Sequence, residues 1–366
     1  MGIFVSVLSG FLGLLSIAWP ELGTAPKGEH AKKIAQSPNY DSKTGRFVNR
    51  NQVEYDKMLD SFDYRALMKK QIFGKEHRKP SNQLPQEKPD LQKFLSAETL
   101  TYHWLGHSTI LLRLDGLTIL IDPVFTNAAP IPWAVQRFQD PVLSLDELPE
   151  VDLILISHDH YDHLDRKSIK HFKDKETQFI VPLGLSSHLK GWGISESHIT
   201  ELDWWDELVF QNLKIACTPS QHFSGRLGPR GNTTLWASFV VMGKNEKFYF
   251  SGDSGYDIHF QKIGEKYGPF DVAFMESGQY NAIWPMSHMF PEESIQASTD
   301  LSAHKIQPIH WGMFTLSTHD WFEPVARMTE AAKEHNLNLV TPIIGEEVVV
   351  SEEQEFFQWW KETSNK

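Results

Sequence analysis

Short apolar runs rich in β-branched and aromatic residues recur between residues 100 and 350, and each run ends in a polar cluster. The first two runs, Thr109–Leu114 and Leu117–Ile121, are joined by Asp115-Gly116, a dipeptide typical of a tight hairpin turn. Amphipathic helical patterns separate several later runs. This alternation predicts an α/β fold, with further strands at residues 153–156, 179–182, 213–216, 236–242, 247–250, 272–275, 306–309 and 347–350, and helices at Arg166–Lys173, Pro291–Ser302 and Glu323–Glu334.

Composition divides the 366 residues into four segments. Residues 99–350 form the predicted α/β domain, and residues 351–366 follow as a C-terminal tail. Residues 26–98 are rich in Lys, Gln, Asn, Asp and Pro, so we expect an extension that wraps on the domain rather than a second domain. Within this extension, Met58–Ile72 predicts one amphipathic helix.

Residues 1–25 contain an uncharged apolar run, Ile3–Trp19, which Pro20 and Glu21 end. The run is slightly shorter than the roughly 20 residues that span a bilayer core. An uncleaved anchor, a helix on the membrane surface and a cleaved signal peptide remain open interpretations, and a core helix is a fourth. We expect membrane association through this segment, on a side of the membrane that the sequence leaves open.

Charge and cysteine content exclude several classes of protein. The net charge of −12 and the pI near 5.8 argue against a nucleic-acid-binding protein. The single cysteine, Cys217, can form neither an internal disulfide nor a cysteine-based zinc finger. The oligomeric state stays open.

The strongest chemical signal follows the predicted strand at residues 153–156. It reads His158-Asp159-His160-Tyr161-Asp162-His163, an H-x-H-x-D-H arrangement. In extended chain, side chains two residues apart point the same way, so His158 and His160 can share one ion. Imidazole and carboxylate groups clustered between a strand and a helix suit a divalent ion such as zinc.

Other polar residues occupy the same kind of position, just beyond the end of an apolar run. Asp122, His222, Asp253 and His310 each follow a predicted strand. In α/β proteins, functional groups collect beyond the carboxyl ends of strands. Because one zinc needs about four ligands, a larger set favours two ions bridged by a carboxylate. The candidate metal ligands are His158, His160, Asp162, His163, His222, Asp253 and His310.

These motifs, in this chain order, resemble the metallo-β-lactamase superfamily over about residues 99–350. The resemblance implies a four-layer αβ/βα sandwich with a dinuclear zinc site between its two sheets. Within the superfamily, the sequence is most similar to the N-acylphosphatidylethanolamine-hydrolysing phospholipase D group. This similarity rests on short sequence motifs at residues 104–109 (WLGHST), 121–123 (IDP), 157–165, His288 ahead of Pro291, and 309–312 (IHWG).

The resemblance also implies a role for each residue. His158, His160 and His222 would hold one zinc ion, and Asp162, His163 and His310 the other. Asp253 would bridge the two ions, and Asp122 would orient a ligand by a hydrogen bond. His288 would lie at the substrate mouth near the phosphate, with Asp162 and Asp253 as the other catalytic residues. His107 would either support a ligand or be a buried, hydrogen-bonded histidine.

The function expected from these residues is zinc-dependent hydrolysis of a phosphodiester by a metal-activated hydroxide. A phospholipid such as N-acylphosphatidylethanolamine is the favoured substrate, and a membrane surface the favoured partner. The alternative is a lactonase or ester hydrolase that acts on a soluble, phosphorylated or unphosphorylated, substrate. Gly252-Asp253-Ser254-Gly255 resembles a serine-protease segment, but those folds are all-β and rich in disulfides.

Overall fold

The computed structural model describes residues 16–131, 133–226 and 231–364. Within these ranges, two seven-stranded sheets pack face to face, and helices cover the outer face of each sheet. The four-layer αβ/βα sandwich predicted from the sequence is therefore confirmed.

The elements of the described chain have the following bounds. The strands are β1 (Tyr40–Asp41), β2 (Arg46–Phe47), β3 (Thr101–Trp104), β4 (Ile110–Leu114), β5 (Leu117–Ile121), β6 (Leu153–Leu155), β7 (Gln178–Pro182), β8 (Ile199–Leu202), β9 (Glu207–Phe210), β10 (Leu213–Thr218), β11 (Ser238–Met242), β12 (Lys247–Phe250), β13 (Phe270–Glu276), β14 (Ala303–Ile309), β15 (Asn338–Leu339) and β16 (Glu347–Val349). The helices are α1 (Gly28–Ile34), α2 (Gln52–Asp60), α3 (Tyr64–Phe73), α4 (Leu91–Leu95), α5 (Arg166–His171), α6 (Ser186–Gly191), α7 (His259–Tyr267), α8 (Pro291–Asp300), α9 (Glu323–Glu334) and α10 (Trp359–Ser364).

The two sheets share one plan of strand pairing. The first has the order β16-β3-β4-β5-β6-β7-β8, and the second has the order β15-β14-β13-β12-β11-β10-β9. In each sheet one half is antiparallel, while β5 to β8 and β12 to β15 run parallel. The carboxyl ends of parallel strands meet at one edge of a sheet, so the residues that follow these strands lie close together.

Apolar side chains fill the space between the sheets and beneath each helical layer. Leu112 of the first sheet and Phe239 and Phe274 of the second belong to one continuous buried cluster. The central strand β5 is buried along its whole length, which explains why all of its residues except Thr118 are apolar. The outer layers use separate clusters, which include Ile169 and Leu189 over the first sheet and Phe260, Ile295 and Met328 over the second.

The extension before residue 99 packs on this sandwich through side chains from several of its elements. Ile34 and Phe47 are buried against Trp236. The hydroxyl of Tyr55 lies 2.7 Å from that of Ser287. These contacts attach the extension to loops of the second sheet.

The prediction of one helix over Met58–Ile72 is wrong, because two helices, α2 and α3, occupy the region. The break falls at residues 61–63. Asp63 accepts hydrogen bonds from the backbone N–H groups of Arg65 and Ala66, at 3.0 and 2.9 Å, and so begins α3. The apolar spacing continues across the break, so periodicity alone did not reveal it.

No helix in the described part of the chain is long and apolar enough to cross a membrane. Residues 1–15, which include most of the predicted anchor Ile3–Trp19, lie outside the described residues. Residues Pro20 and Glu21, close to the first described residue, contact the sandwich. The carbonyl of Pro20 accepts a hydrogen bond from Trp192 at 3.1 Å, and Glu21 pairs with Arg166 at 3.1 Å.

Candidate metal centre

The ends of five strands bring the predicted ligands to one place between the sheets. The loop after β6 carries the H-x-H-x-D-H motif, and the loop after β10 carries His222. Asp253 follows β12, and His310 follows β14 directly. Asp122 follows β5 in the same way. All of these side chains are buried except that of His160, which is partly buried.

Polar contacts hold the motif loop in its turn. Asp159 accepts a hydrogen bond from the backbone N–H of Gly225 at 2.6 Å. The guanidinium of Arg226 donates to the carbonyls of Asp159 and Leu164, at 2.7 and 2.9 Å. Asp165 accepts from the N–H of Lys167 at 3.0 Å and begins α5. The loop is therefore fixed from both sides before any ion binds.

The first ligand cluster contains His158, His160, His222 and Asp253, whose donor atoms lie within 4.8 Å of one another. Nε2 of His158 lies 2.8 Å from Nδ1 of His160, and Nε2 of His222 lies 3.3 Å from the same Nδ1. Three imidazole nitrogens that converge in this way, beside a carboxylate, match the donor set of a zinc site.

The second cluster contains Asp162, His163 and His310, together with His107. Oδ2 of Asp162 lies 3.2 Å from Nε2 of His310 and 3.4 Å from Nε2 of His163. Nε2 of His107 lies 2.9 Å from the same oxygen. His107 thus approaches a predicted ligand and is also a buried, hydrogen-bonded histidine.

Asp253 lies between the two clusters. Its Oδ2 is 3.7 Å from Nε2 of His158 and 3.6 Å from Nε2 of His222 in the first cluster. The same oxygen is 3.2 Å from Nε2 of His163 and 3.1 Å from Nε2 of His310 in the second. A carboxylate in this position can bridge two ions.

Unpaired polar atoms in the same place fit divalent ions. Among the described residues, Oδ1 of Asp253 and Nε2 of His163 are buried without a hydrogen-bond partner. Buried polar atoms normally have partners, because an unpaired one carries a desolvation cost. Metal ions would satisfy these atoms, so the donor set fits the two ions that the sequence predicts.

The electrostatics of the two clusters differ. Burial favours neutral imidazoles, and it holds the pKa values of His158 and His222 well below the ordinary value. Burial acts in the same sense on His310, but the negative charge of Asp253 outweighs it and raises the pKa of His310 to about 10. The carboxylates therefore favour positive charge in the second cluster, which a divalent ion would supply.

Asp122 fixes the orientation of a predicted ligand. Its Oδ2 lies 2.7 Å from Nδ1 of His163, so the ring points Nε2 toward the carboxylates of the second cluster. The same carboxylate accepts hydrogen bonds from the N–H and the hydroxyl of Ser157, at 2.7 and 2.6 Å. Such contacts set the tautomer and position of a metal-binding histidine.

His288 lies beside both clusters, and a residue that the sequence analysis missed holds it there. Its ring centre is 5.0 Å from those of His222 and His310. Its Nδ1 lies 3.1 Å from Oε2 of Glu276, the buried last residue of β13. Burial raises the pKa of Glu276, although His288 opposes that shift. The strand-end rule that found Asp253 applies equally to Glu276.

A cavity of about 300 Å³ opens over the clusters. Its base contains His160, Asp162, Asp253 and His310, and His288 lies at one side. The remaining wall is largely apolar and includes Leu59, Phe62, Phe223, Trp284 and Leu316. Leu59 and Phe62 come from the extension, which thus forms part of the cavity wall.

Comparison with known proteins agrees with this geometry. A family profile described as "Beta-lactamase superfamily domain" matches residues 118–311. The chain belongs to the metallo-β-lactamase superfamily. The match spans the strand-end residues from Asp122 to His310, so this member of the superfamily is a metal-dependent hydrolase.

Individual relatives cover most of the chain. An uncharacterised protein of Mycobacterium tuberculosis is 38% identical over 89% of this chain and 88% of its own length. The N-acyl-phosphatidylethanolamine-hydrolyzing phospholipase D 1 of Caenorhabditis elegans is 36% identical over 68% of this chain and 74% of its own length. A metallo hydrolase structure from Ignicoccus hospitalis has a TM-score of 0.55 at 21% identity, covering 68% of this chain and 97% of that one, and it shares the fold.

Proposed function

We propose that this hydrolase is a dinuclear zinc-dependent phosphodiesterase that cleaves a membrane phospholipid, such as N-acylphosphatidylethanolamine, in a reaction of phospholipase D type. The observation that carries the proposal is the pair of ligand clusters that share Asp253 at the base of an apolar-walled cavity. The similarity to the Caenorhabditis elegans phospholipase supports the same class of substrate.

In this proposal, each ion has its own set of ligands. His158, His160 and His222 would hold one zinc ion. Asp162, His163 and His310 would hold the other, with Asp253 shared. Two such ions, when bound, lower the pKa of a water and stabilise negative charge on phosphoryl oxygens.

The chain's own side chains would bind and orient the lipid. The apolar wall would accept acyl chains, which leave water favourably. Glu276 contacts Nδ1 of His288 and fixes its ring, so Nε2 is available to a phosphoryl oxygen. Asp162 and Asp253 act as ligands and also orient the attacking water by hydrogen bonds.

The test is a substrate panel on one sample purified without chelators, with its metal content measured in parallel. We expect about two zinc ions per chain and release of the N-acylethanolamine headgroup from vesicles. In isotopically labelled water, the label should enter the phosphatidic acid, because water attacks phosphorus. Label in the alcohol would reject that attack. Ring opening of a soluble lactone without headgroup release would assign the alternative, a lactonase.

A ligand variant and a matched control variant test the assigned ligands. His158→Ala should lose metal and turnover together, because it removes a ligand of the first cluster. His304→Ala removes an exposed histidine of β14, the strand that leads to His310, and should leave both unchanged. Equal metal content in both variants would contradict the assigned ligands.

We also propose that Ile3–Trp19 holds the enzyme at a membrane. The support is the uncharged apolar sequence of this run. It also lies ahead of a polar extension whose residues contribute to the cavity entrance. An anchor in this position would keep the hydrolase close to a phospholipid substrate.

A further inference from the structure

Helix α3 presents large apolar side chains to solvent. Tyr64, Met68, Ile72 and Phe73 are 51 to 74% exposed, and no residue of α3 is buried. The first three lie four residues apart, so they share one face of the helix. Single exposed apolar residues are ordinary, but a row of this kind marks an interaction surface. We call these four side chains the α3 surface.

Positive charge lies along α3 and in the residues that follow it. Residues 64–79 contain six Lys or Arg residues and one Glu, in a chain whose net charge is −12. Arg65 and Lys69 lie on α3 itself, and Lys75 and Lys79 follow it, all exposed. A helix with exposed apolar residues flanked by basic residues is typical of a segment that lies at an anionic lipid surface.

The helix is fixed beside the cavity at both ends. Phe62, two residues before α3, lines the cavity and stacks on Trp284 with ring centres 5.9 Å apart. Beyond the helix, the carbonyl of Arg78 accepts a hydrogen bond from the hydroxyl of Thr315 at 2.8 Å, and the carbonyl of His77 accepts from the N–H of Trp321 at 2.9 Å. The α3 surface therefore has a defined position next to the cavity entrance.

We propose that the α3 surface docks on an anionic phospholipid bilayer and places the cavity entrance against the lipid. The apolar side chains would enter the boundary between headgroups and acyl chains, while the basic residues would contact lipid phosphates. The inference rests on the proposed function, because a docking face beside the cavity serves a lipid substrate. It concerns a second membrane contact, separate from Ile3–Trp19.

The full chain permits a direct test, because its single cysteine, Cys217, is buried. An environment-sensitive fluorophore on Ile72→Cys would report the surroundings of the α3 surface. The matched control is Val209→Cys, another exposed apolar position, on the strand β9. Each labelled protein is mixed with vesicles of phosphatidylcholine alone or of phosphatidylcholine with phosphatidylglycerol.

We expect a blue shift of the Ile72→Cys label with the anionic vesicles, a small shift with phosphatidylcholine alone, and none for Val209→Cys. The double substitution Lys69→Glu/Lys75→Glu in the Ile72→Cys protein should remove most of the shift, because it reverses charges beside the apolar face.

Three results would overturn the docking proposal. One is an unshifted label at residue 72, and another is an equal shift at residues 72 and 209. The third is a blue shift of the label at residue 72 without lipid, in a protein that sediments as a dimer, with no further shift when vesicles are added. A second copy of the chain would then cover the α3 surface. None of these measurements uses turnover, so a lack of phospholipase activity would count against the proposed function alone.

Discussion

One buried carboxylate, Asp122, connects two strands of the first sheet to the candidate metal centre. It follows β5 and accepts two hydrogen bonds from Ser157, which follows β6. Its third contact is with Nδ1 of His163. Because a histidine ligand must present the correct nitrogen, the position of one carboxylate decides whether the second cluster can bind an ion.

We therefore expect Asp122→Asn to lower metal affinity by about 10- to 100-fold, the usual effect of losing the partner of a histidine ligand. The asparagine side chain has the same size but carries no negative charge. It therefore binds the hydroxyl of Ser157 and Nδ1 of His163 less strongly than Oδ2 of Asp122 does. Competition of zinc with a chromogenic chelator measures the change.

Asp152→Asn is the matched control for Asp122→Asn. Asp152 also accepts a hydrogen bond within the first sheet, from the N–H of Thr118 at 2.8 Å, but it does not belong to either ligand cluster. Its substitution should leave metal affinity unchanged. Equal affinities of the two variants for zinc would show that the contact between Asp122 and His163 does not orient the ligand.

On the scale of elements, the extension is joined to the first sheet by a contact between a histidine of α1 and a buried carboxylate of β8. Nε2 of His30 lies 2.7 Å from Oε2 of Glu201, whose other oxygen accepts from the N–H of Ser186 at 2.9 Å. Burial favours the neutral acid, but His30 and Ser186 outweigh it and hold the pKa of Glu201 below its ordinary value. This contact thus links folding of the extension to pH.

The sign of the pH effect follows from the lowered pKa. In the unfolded chain Glu201 has an ordinary pKa near 4.5 and binds its proton at higher pH than in the folded chain. Its stabilisation is therefore present above that pH and is lost as the pH falls below it. Glu201→Gln should lower the free energy of unfolding by about 1 to 3 kcal/mol near neutral pH, and by less in acid. Urea denaturation at a series of pH values measures both.

Glu196→Gln controls for a change in charge alone. Glu196 pairs with Lys190 at 2.9 Å on the surface, where ion pairs contribute little because solvent screens them. We expect its unfolding curves to match those of the unchanged protein. If the loss of stability in Glu201→Gln does not shrink in acid, the pair with His30 does not act through the charge of the carboxylate.

Strands of the sandwich interior were predictable because both of their faces are buried. The five residues of β5 and the last three of β12 are buried, and each strand appears in the sequence as a run dominated by apolar and aromatic residues. The edge strand β9 alternates between exposed and half-buried residues, and its sequence ELVF gave no comparable signal. An edge strand is fixed by its pairing with one neighbouring strand, and the local sequence pattern does not reveal that pairing.

The candidate site was predictable to the extent that its residues follow such strands. Asp122, Asp253 and His310 were found by that rule, and Glu276 was missed although it directly follows the strand predicted at residues 272–275. The contribution of Leu59 and Phe62 to the cavity had no signal in the sequence. It depends on how the extension folds back over a domain that follows it in the chain.

On the scale of the whole molecule, we propose two membrane contacts: the apolar run Ile3–Trp19 and the α3 surface. They differ in charge, since the run is uncharged and the α3 surface is flanked by basic residues. An uncharged segment partitions by the hydrophobic effect, whereas a basic surface also needs anionic lipid. The two contacts can therefore be separated by salt, because screening weakens the second alone.

Deletion of residues 1–18 tests the proposed anchor. This end point retains Pro20, whose carbonyl accepts a hydrogen bond from Trp192, and Glu21, which pairs with Arg166. We expect the truncated protein to move from the membrane fraction to the soluble fraction at high salt. Turnover of a short-chain soluble phosphodiester should barely change, because the predicted ligands all lie beyond residue 150. Turnover of vesicle lipid should fall, because tethering raises the local concentration of substrate.

The activity of the truncated protein on vesicles tests whether the α3 surface is a second membrane contact. At low salt we expect it to persist on vesicles that contain phosphatidylglycerol and to disappear on pure phosphatidylcholine, since the α3 surface would be the remaining contact. The double substitution Lys69→Glu/Lys75→Glu in the truncated protein should then abolish it. A truncated protein that still sediments with phosphatidylcholine vesicles at high salt, and cleaves their lipid at the full rate, would show that Ile3–Trp19 is not the anchor.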